Sequence, residues 1–367
     1  MILEFLERHV LEIPVVGGLY RKKAAKLKRR FCLLLDRAGM LKPYSFVQWL
    51  VTNRCNGSCP FCEASSGKEQ ANELTHEEAG ILIRDLQCMK VRRLILSGGE
   101  PLMRPDICEI IKYANGCGID VGLVTNGWFV PEMKSTLPNL RFFLYFTSVD
   151  GEPAYHNRMR GMDNAFERAL EGLALFTRMQ VPVRIVNTVV HSGNILQLKS
   201  LAEIIMRTGA TSWRLTPVSK VGRAVGRNDY ELSGEQLGYL TSFIEEKRKV
   251  MSIDFGESHM YLGCLAKEYG GHPFFCGAGL TRCSIMPNGE VLGCHQVYDS
   301  SLSEGNIRDR SFPEIWANGF SRFRKKHFED MCLQCFCFDG CQGGCWAEMQ
   351  KTGACLKSSC DRTGKIE

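Results

Sequence analysis

At 367 residues, 44% of them hydrophobic, the chain is long enough for about two domains with a sizeable core, which excludes a disordered or low-complexity polypeptide. Its net charge of +6 is modest, so a nucleic acid is not an expected partner, and no uncharged apolar run of about eighteen residues marks a membrane span. Eighteen cysteines exceed ordinary usage yet fall short of a small disulfide scaffold, and Met1-Ile-Leu-Glu-Phe-Leu-Glu lacks the basic flank and apolar core of a secretory signal; a reducing, cytoplasmic setting follows.

Along the chain, residues 1–43 are expected to form an N-terminal helical basic segment. Seven of the ten residues from Arg21 to Arg30 are Lys or Arg, while Ala24, Ala25 and Leu27 supply an apolar side at helical spacing. This reads first as the solvated face of an amphipathic helix and second as a patch for an acidic peptide, a nucleic acid or a membrane surface. Residues 44–230 alternate β-rich runs with helical segments. The runs are Phe46 to Thr52, Arg92 to Leu96, Asp120 to Thr125, Phe142 to Val149, Val183 to Val190 and Ser212 to Thr216. Between them, Thr75 with Glu78 forms a capping-box signature before Ile81, Leu82 and Leu86, and Asn194 precedes Ile195, Leu198, Leu201 and Ile205. Six such units predict a parallel sheet, and their length is too short for a closed eight-unit barrel, so an α/β fold with a partial (β/α)6 TIM-type barrel is expected. Residues 231–255 read as a connector helix capped by Ser233 with Gln236. Eleven of the eighteen cysteines fall in residues 256–367, marking a C-terminal cysteine-rich, cluster-stapled domain.

The chemistry gathers where the strands end. Cys55, Cys59 and Cys62, spaced C-x3-C-x2-C, follow the first run. Three thiolates can hold three irons of a four-iron cubane and leave the fourth open to bind a substrate, whereas a zinc site prefers two C-x2-C pairs. Ser97-Gly98-Gly99-Glu100-Pro101 follows the second run, where the glycines permit close backbone approach and a carboxylate can accept hydrogen bonds from a ligand ammonium. Thr125-Asn126-Gly127 follows the third and Ser148-Val149-Asp150-Gly151 the fourth, with His156 and Arg160 beyond.

These elements, in this order, resemble the radical S-adenosylmethionine (SAM) superfamily. The resemblance implies that Cys55, Cys59 and Cys62 ligate a [4Fe–4S] cluster whose open iron chelates SAM. The reduced cluster then cleaves SAM to a 5′-deoxyadenosyl radical that abstracts hydrogen from an unactivated carbon. It further implies SAM contacts by Gly98, Gly99 and Glu100, ribose or substrate contacts by Thr125, Asn126, Ser148 and Asp150, and packing of Phe61 beside the adenine. Cys276-x12-Gly289-x4-Cys294 and Cys332-x2-Cys335-x5-Cys341-x3-Cys345 are similar to the SPASM domain, which carries auxiliary clusters. By that similarity Cys276, Cys283, Cys294 and Cys345 hold one [4Fe–4S] cluster, and Cys332, Cys335, Cys341 and Cys360 a second, with Cys355 competing for the last place. Zinc is the competing reading for Cys332-x2-Cys335. The cofactors expected are therefore SAM and three [4Fe–4S] clusters.

The SPASM-type members imply maturation of a ribosomally made peptide or a protein by crosslinking, thioether formation, oxidation or epimerisation. An external flavodoxin- or ferredoxin-type electron donor is expected. The alternative is maturation of a small molecule, such as tetrapyrrole side-chain oxidation, and a non-enzymatic iron–sulfur or zinc scaffold ranks last. His295 stands where the anaerobic sulfatase-maturating enzymes have an acidic base, and is a candidate acid/base group. Cys264 and Cys337 are candidate thiol hydrogen donors, as peptide epimerases use. Cys341 replaces the Asp of the pyrroloquinoline quinone enzyme. Cys88, Cys108 and Cys117 are expected to be small core residues. Residues 1–43 are shorter than a dedicated leader-binding domain, so leader recognition is expected to be short, external or absent.

Overall fold

Strands buried on both faces show as short runs of large apolar residues, and the six expected runs are strands in the computed structural model, which describes residues 18–219, 221–256, 275–294, 296–325 and 346. A helix, α1 (Gly18–Arg37), precedes them. The strands are β1 (Phe46–Leu50), β2 (Arg93–Ser97), β3 (Asp120–Val124), β4 (Phe142–Ser148), β5 (Val183–Val190) and β6 (Ser212–Pro217). They lie side by side in sequence order, all parallel, joined through α2 (His76–Cys88), α3 (Ile107–Gly116), α4 (Pro153–Arg160), α5 (Ala165–Arg178) and α6 (Leu198–Ile205). This is the partial (β/α)6 barrel read from the sequence.

Two parallel strands extend it beyond that reading. After α7 (Gly234–Lys247), the expected connector, β7 (Ile253–Phe255) pairs with β6. On the other edge β8 (Arg282–Ile285), from the cysteine-rich segment, pairs with β1, and β9 (Glu290–Leu292) and β10 (Gly305–Asn306) continue antiparallel. Strands of three or four residues are too short for a pattern to emerge, and in β8 one position is a cysteine that reads as a ligand.

Helix α2 shows why the repeats hold. Ala79, Leu82, Ile83 and Leu86 fall on one face and are buried, and Thr75 Oγ1 accepts from Glu78 N at 3.2 Å while Glu78 Oε2 accepts from Thr75 N at 2.8 Å. Glu78 also pairs with Arg308 (Nη2 to Oε2, 2.8 Å), whose guanidinium holds the carboxyl down to about 2, tying the C-terminal segment to the barrel. Thr75→Ala is expected to lower stability by about 1 kcal/mol, read as a lower urea midpoint with an unchanged slope.

The basic helix α1 is docked rather than free. Cys32 and Leu35 are buried, Arg29 Nη2 donates to Phe323 O at 2.7 Å, and Asp36 pairs with Arg324 at 3.0 Å. Both partners lie on α9 (Ser321–Arg324), and Trp316 Nε1 of α8 (Phe312–Asn318) donates to Leu41 O just beyond α1. Among the described residues, no helix is long and apolar enough to cross a membrane.

Candidate active site

Parallel strands aim their carboxyl ends at one face, so the loops that leave β1 to β6 gather there. The loop after β1 is pinned at its root, where Cys55 N donates to Gly67 O (2.9 Å) and Gly67 N to Asn53 O (2.9 Å). From one side, beyond β4, Arg160 O accepts from Ser58 N at 2.9 Å. From the other, beyond β6, Arg223 donates through Nε to Cys59 O (2.7 Å), through Nη1 to Ser66 O (2.6 Å) and through its backbone N to Cys62 O (3.0 Å). The neighbouring Gly222 adopts φ +57°, and a Cβ there would stand 2.2 Å from Cys62 O, so only glycine lets the strand-6 loop approach this closely.

So held, Cys55, Cys59 and Cys62 line a cavity of about 300 Å³. Arg160 Nη1 donates to Cys59 Sγ at 3.6 Å. Burial pushes the Cys55 thiol up to about 11 and raises that of Cys59, so a metal that takes them as thiolates must displace their protons. Ser97, Gly98 and Gly99 supply a backbone floor beside the thiols. A Cβ on Gly98 would lie 2.3 Å from Thr52 O, and one on Gly99 2.3 Å from Arg54 O. The rest of the lining mixes the polar Thr125, Asn126, Ser148, Asn187, Arg214, Thr216, Ser219 and Gln296 with the apolar Val124, Phe146, Met162, Val189 and Pro217. Phe61 also lines the cavity, under the Arg160 guanidinium (5.6 Å) and edge-on to Tyr230 (6.4 Å).

Two carboxylates expected to meet a ligand sit behind these walls instead. Glu100 is fully buried, and its Oε1 accepts from Leu102 N (3.0 Å) and Thr125 Oγ1 (2.7 Å) while Oε2 accepts from Asn126 N (2.8 Å). It braces the β3 loop against the β2 loop, and burial pushes its carboxyl up to about 7 against those donors. Asp150 is likewise fully buried, with Oδ2 2.6 Å from both Nε and Nη2 of Arg160 and Oδ1 accepting from Val189 N at 3.0 Å. Its backbone N donates to His156 Nδ1 at 3.0 Å. In this structure both carboxylates are buried, accept from donors of the protein and lie outside the cavity lining.

The Glu100 geometry makes a direct prediction. In Glu100→Gln the amide NH2 must replace either Oε1, facing Leu102 N–H, or Oε2, facing Asn126 N–H. Each choice sets donor against donor, so the near-isosteric change is expected to cost about 1–3 kcal/mol, read as a lower urea midpoint.

The sequence offers Arg214, Arg223 and Tyr261 as barrel-mouth residues for a substrate, with no ranking among them, and gives no sign of Gly222, Asn187, Thr216 or Gln296; Arg214 and Arg223 line the cavity, and Tyr261 lies outside the described residues. Arg223 grips a cysteine loop some 160 residues earlier, a relation no local pattern reveals. Of the C-terminal cysteines, Cys276 and Cys294 are half-buried and Cys283 is buried in β8, where burial raises its thiol pKa. Cys332, Cys335, Cys341, Cys345, Cys355 and Cys360 lie outside the described residues, as do His295, Cys264 and Cys337. Cys108 and Cys117 pack partly buried against the core, but Cys88, the last residue of α2, is exposed and is no core residue.

Residues 49–203 match the Radical SAM superfamily, and residues 276–336 match SPASM, an iron–sulfur cluster-binding domain. Mycofactocin maturase MftC of Mycolicibacterium smegmatis is 32% identical over 322 residues, covering 83% of this chain and 79% of that protein. The AdoMet-dependent heme synthase of Methanosarcina barkeri is 30% identical over 298 residues, covering 76% and 83%. The fold is shared with Streptococcus suis SuiB, solved bound to S-adenosylmethionine, at a TM-score of 0.68 and 16% identity over 95% of this chain and 84% of that one.

Proposed function

Since the chain belongs to the radical SAM superfamily and carries its SPASM domain, we propose that it is a maturase that modifies a residue of a ribosomally made peptide or protein. The superfamily uses SAM and a [4Fe–4S] cluster, which together supply a 5′-deoxyadenosyl radical for hydrogen abstraction. The observation that carries the reading at this site is that Cys55, Cys59 and Cys62 line one cavity together with the Gly98–Gly99 backbone and the polar side chains of Thr125, Asn126 and Ser148. Cys55, Cys59 and Cys62 would hold the cluster. The Gly98–Gly99 backbone, Thr125, Asn126 and Ser148 would receive SAM, with Phe61 against its adenine. Arg160 and Arg223 hold the cysteine loop in place, and Glu100 fixes the floor to the loop carrying Thr125 and Asn126.

Cys276, Cys283 and Cys294, with cysteines beyond the described residues, would hold auxiliary clusters, for three cubanes and about twelve irons per chain. An external flavodoxin- or ferredoxin-type donor would supply the electron. The peptide substrate is favoured by likeness to a mycofactocin maturase; likeness to a heme synthase at almost the same identity favours the second reading, a tetrapyrrole or other small molecule. The test is 5′-deoxyadenosine formation by anaerobically reconstituted protein with SAM and a strong reductant, with and without short peptides encoded beside the gene. A peptide-dependent rise with a mass change in the peptide supports maturation. Cleavage indifferent to every peptide but stimulated by a porphyrin overturns it in favour of the second reading.

A further inference from the structure

Arg324 is a buried cation with an unmet donor. It closes α9 with its side chain 5% exposed, and its guanidinium lies against the rings of Trp316 (5.0 Å) and Phe320 (5.3 Å). Nε donates to Gly279 O at 3.1 Å and Nη1 pairs with Asp36 of α1 at 3.0 Å, while Nη2 has no hydrogen-bond partner among the described residues. A buried charged donor without a partner is costly, so Nη2 leaves room for one further anionic acceptor beside the carboxylates of Asp36 and Glu304 that already act on this guanidinium.

The surroundings identify which one. Gly279 lies three residues after Cys276, and its N–H donates to Arg282 O at 2.9 Å, next to Cys283 in β8. The Phe323 ring of α9 covers Gly279 and also Gly293, the residue before Cys294; a Cβ on Gly293 would lie 2.1 Å from that ring. Arg324 is thus seated on the turn and hairpin that carry all three described C-terminal cysteines. Helix α1 grips the same place twice, through Asp36 on Arg324 and Arg29 on Phe323 O.

We propose that Arg324, aimed by Asp36 of the N-terminal helix, is the buried cationic partner of the iron–sulfur cluster held by Cys283 and stabilises its reduced form. The proposal rests on the reading that Cys276, Cys283 and Cys294 bind a cluster. A cluster held by thiolates is an anion that gains charge on reduction, so a desolvated guanidinium beside it favours the reduced state and raises its potential. Through Asp36 and Arg29 the N-terminal helix is then a positioning element for that cluster.

The test is an EPR-monitored redox titration of the full chain carrying Cys55→Ala, Cys59→Ala and Cys62→Ala, so that only C-terminal clusters titrate. Arg324→Met is expected to lower one midpoint by about tenfold in the reduced-to-oxidised ratio, about 59 mV for a one-electron couple, with Arg324→Lys recovering most of it. Asp36→Asn removes a negative charge and is expected to shift the same midpoint upward. A purely structural role would not give opposite signs. Unchanged midpoints in Arg324→Met at full iron content overturn the proposal. If that variant loads less iron, Asp36→Asn decides, and the absence of an upward shift overturns it. A parent that retains no iron would refute the C-terminal cluster reading itself, and this proposal with it.

Discussion

Replacing Cys55, Cys59 or Cys62 by alanine is expected to reduce 5′-deoxyadenosine formation to the level of the protein-free mixture and to lower bound iron from about twelve to about eight per chain. The expectation rests on placement. The three thiols line one cavity, and their loop is fixed mainly through its backbone, by Arg160 O and by the donors of Arg223. Removing a thiol therefore leaves the protein scaffold standing while taking away a ligand. Cys88→Ala is the matched control, because Cys88 is exposed at the end of α2 and a surface change of this kind stays within about 0.5 kcal/mol. Iron retained in full by all three variants would refute the assignment of these ligands.

How much of this could be read in advance depends on the range of the interaction. Leu94, Ile95 and Leu96 identify β2 because burial on both faces leaves a local signature, and Thr75 with Glu78 identifies the start of α2 because a cap is closed within four residues. The glycines at 98 and 99 were legible for the same reason, although the atoms that require them, Thr52 O and Arg54 O, belong to another strand's loop. Glu100 and Asp150 show the limit. A carboxylate at the end of a barrel strand reads as a ligand group, yet whether it faces the cavity is decided by donors elsewhere, Asn126 N for one and Arg160 for the other. Likewise the basic run from Arg21 to Arg30 reads as a charged surface, while the seat of Arg29 on Phe323 O depends on a residue near the opposite end of the sequence.

Asp150→Asn is expected to be among the most destabilising single changes in the barrel, at about 3–5 kcal/mol, because it leaves the Arg160 guanidinium charged, buried and without its counter-ion. The amide cannot rescue the site. Its NH2 faces either Arg160, setting donors and a cation against it, or Val189 N–H, which now donates to Asp150 Oδ1. Arg160 also donates to Cys59 Sγ and holds Ser58 N through its carbonyl, so iron loading should fall with stability. Replacing both partners, Asp150→Leu with Arg160→Met, removes the stranded charge and is expected to cost less than Asp150→Asn alone. The pH dependence follows from the same pair. Although burial opposes its charge, Arg160 and His156 hold the Asp150 carboxyl down to about 2, below its ordinary 3.8. The stabilisation is therefore fully present above about pH 4 and is lost as the pH falls toward 2, since the unfolded chain takes up the proton first. Urea unfolding of the apo protein, followed from pH 6 to pH 3, should show the parent losing stability faster than Asp150→Asn. Parallel curves, or a cost below about 1 kcal/mol at pH 7, would mean that the pair carries no such weight.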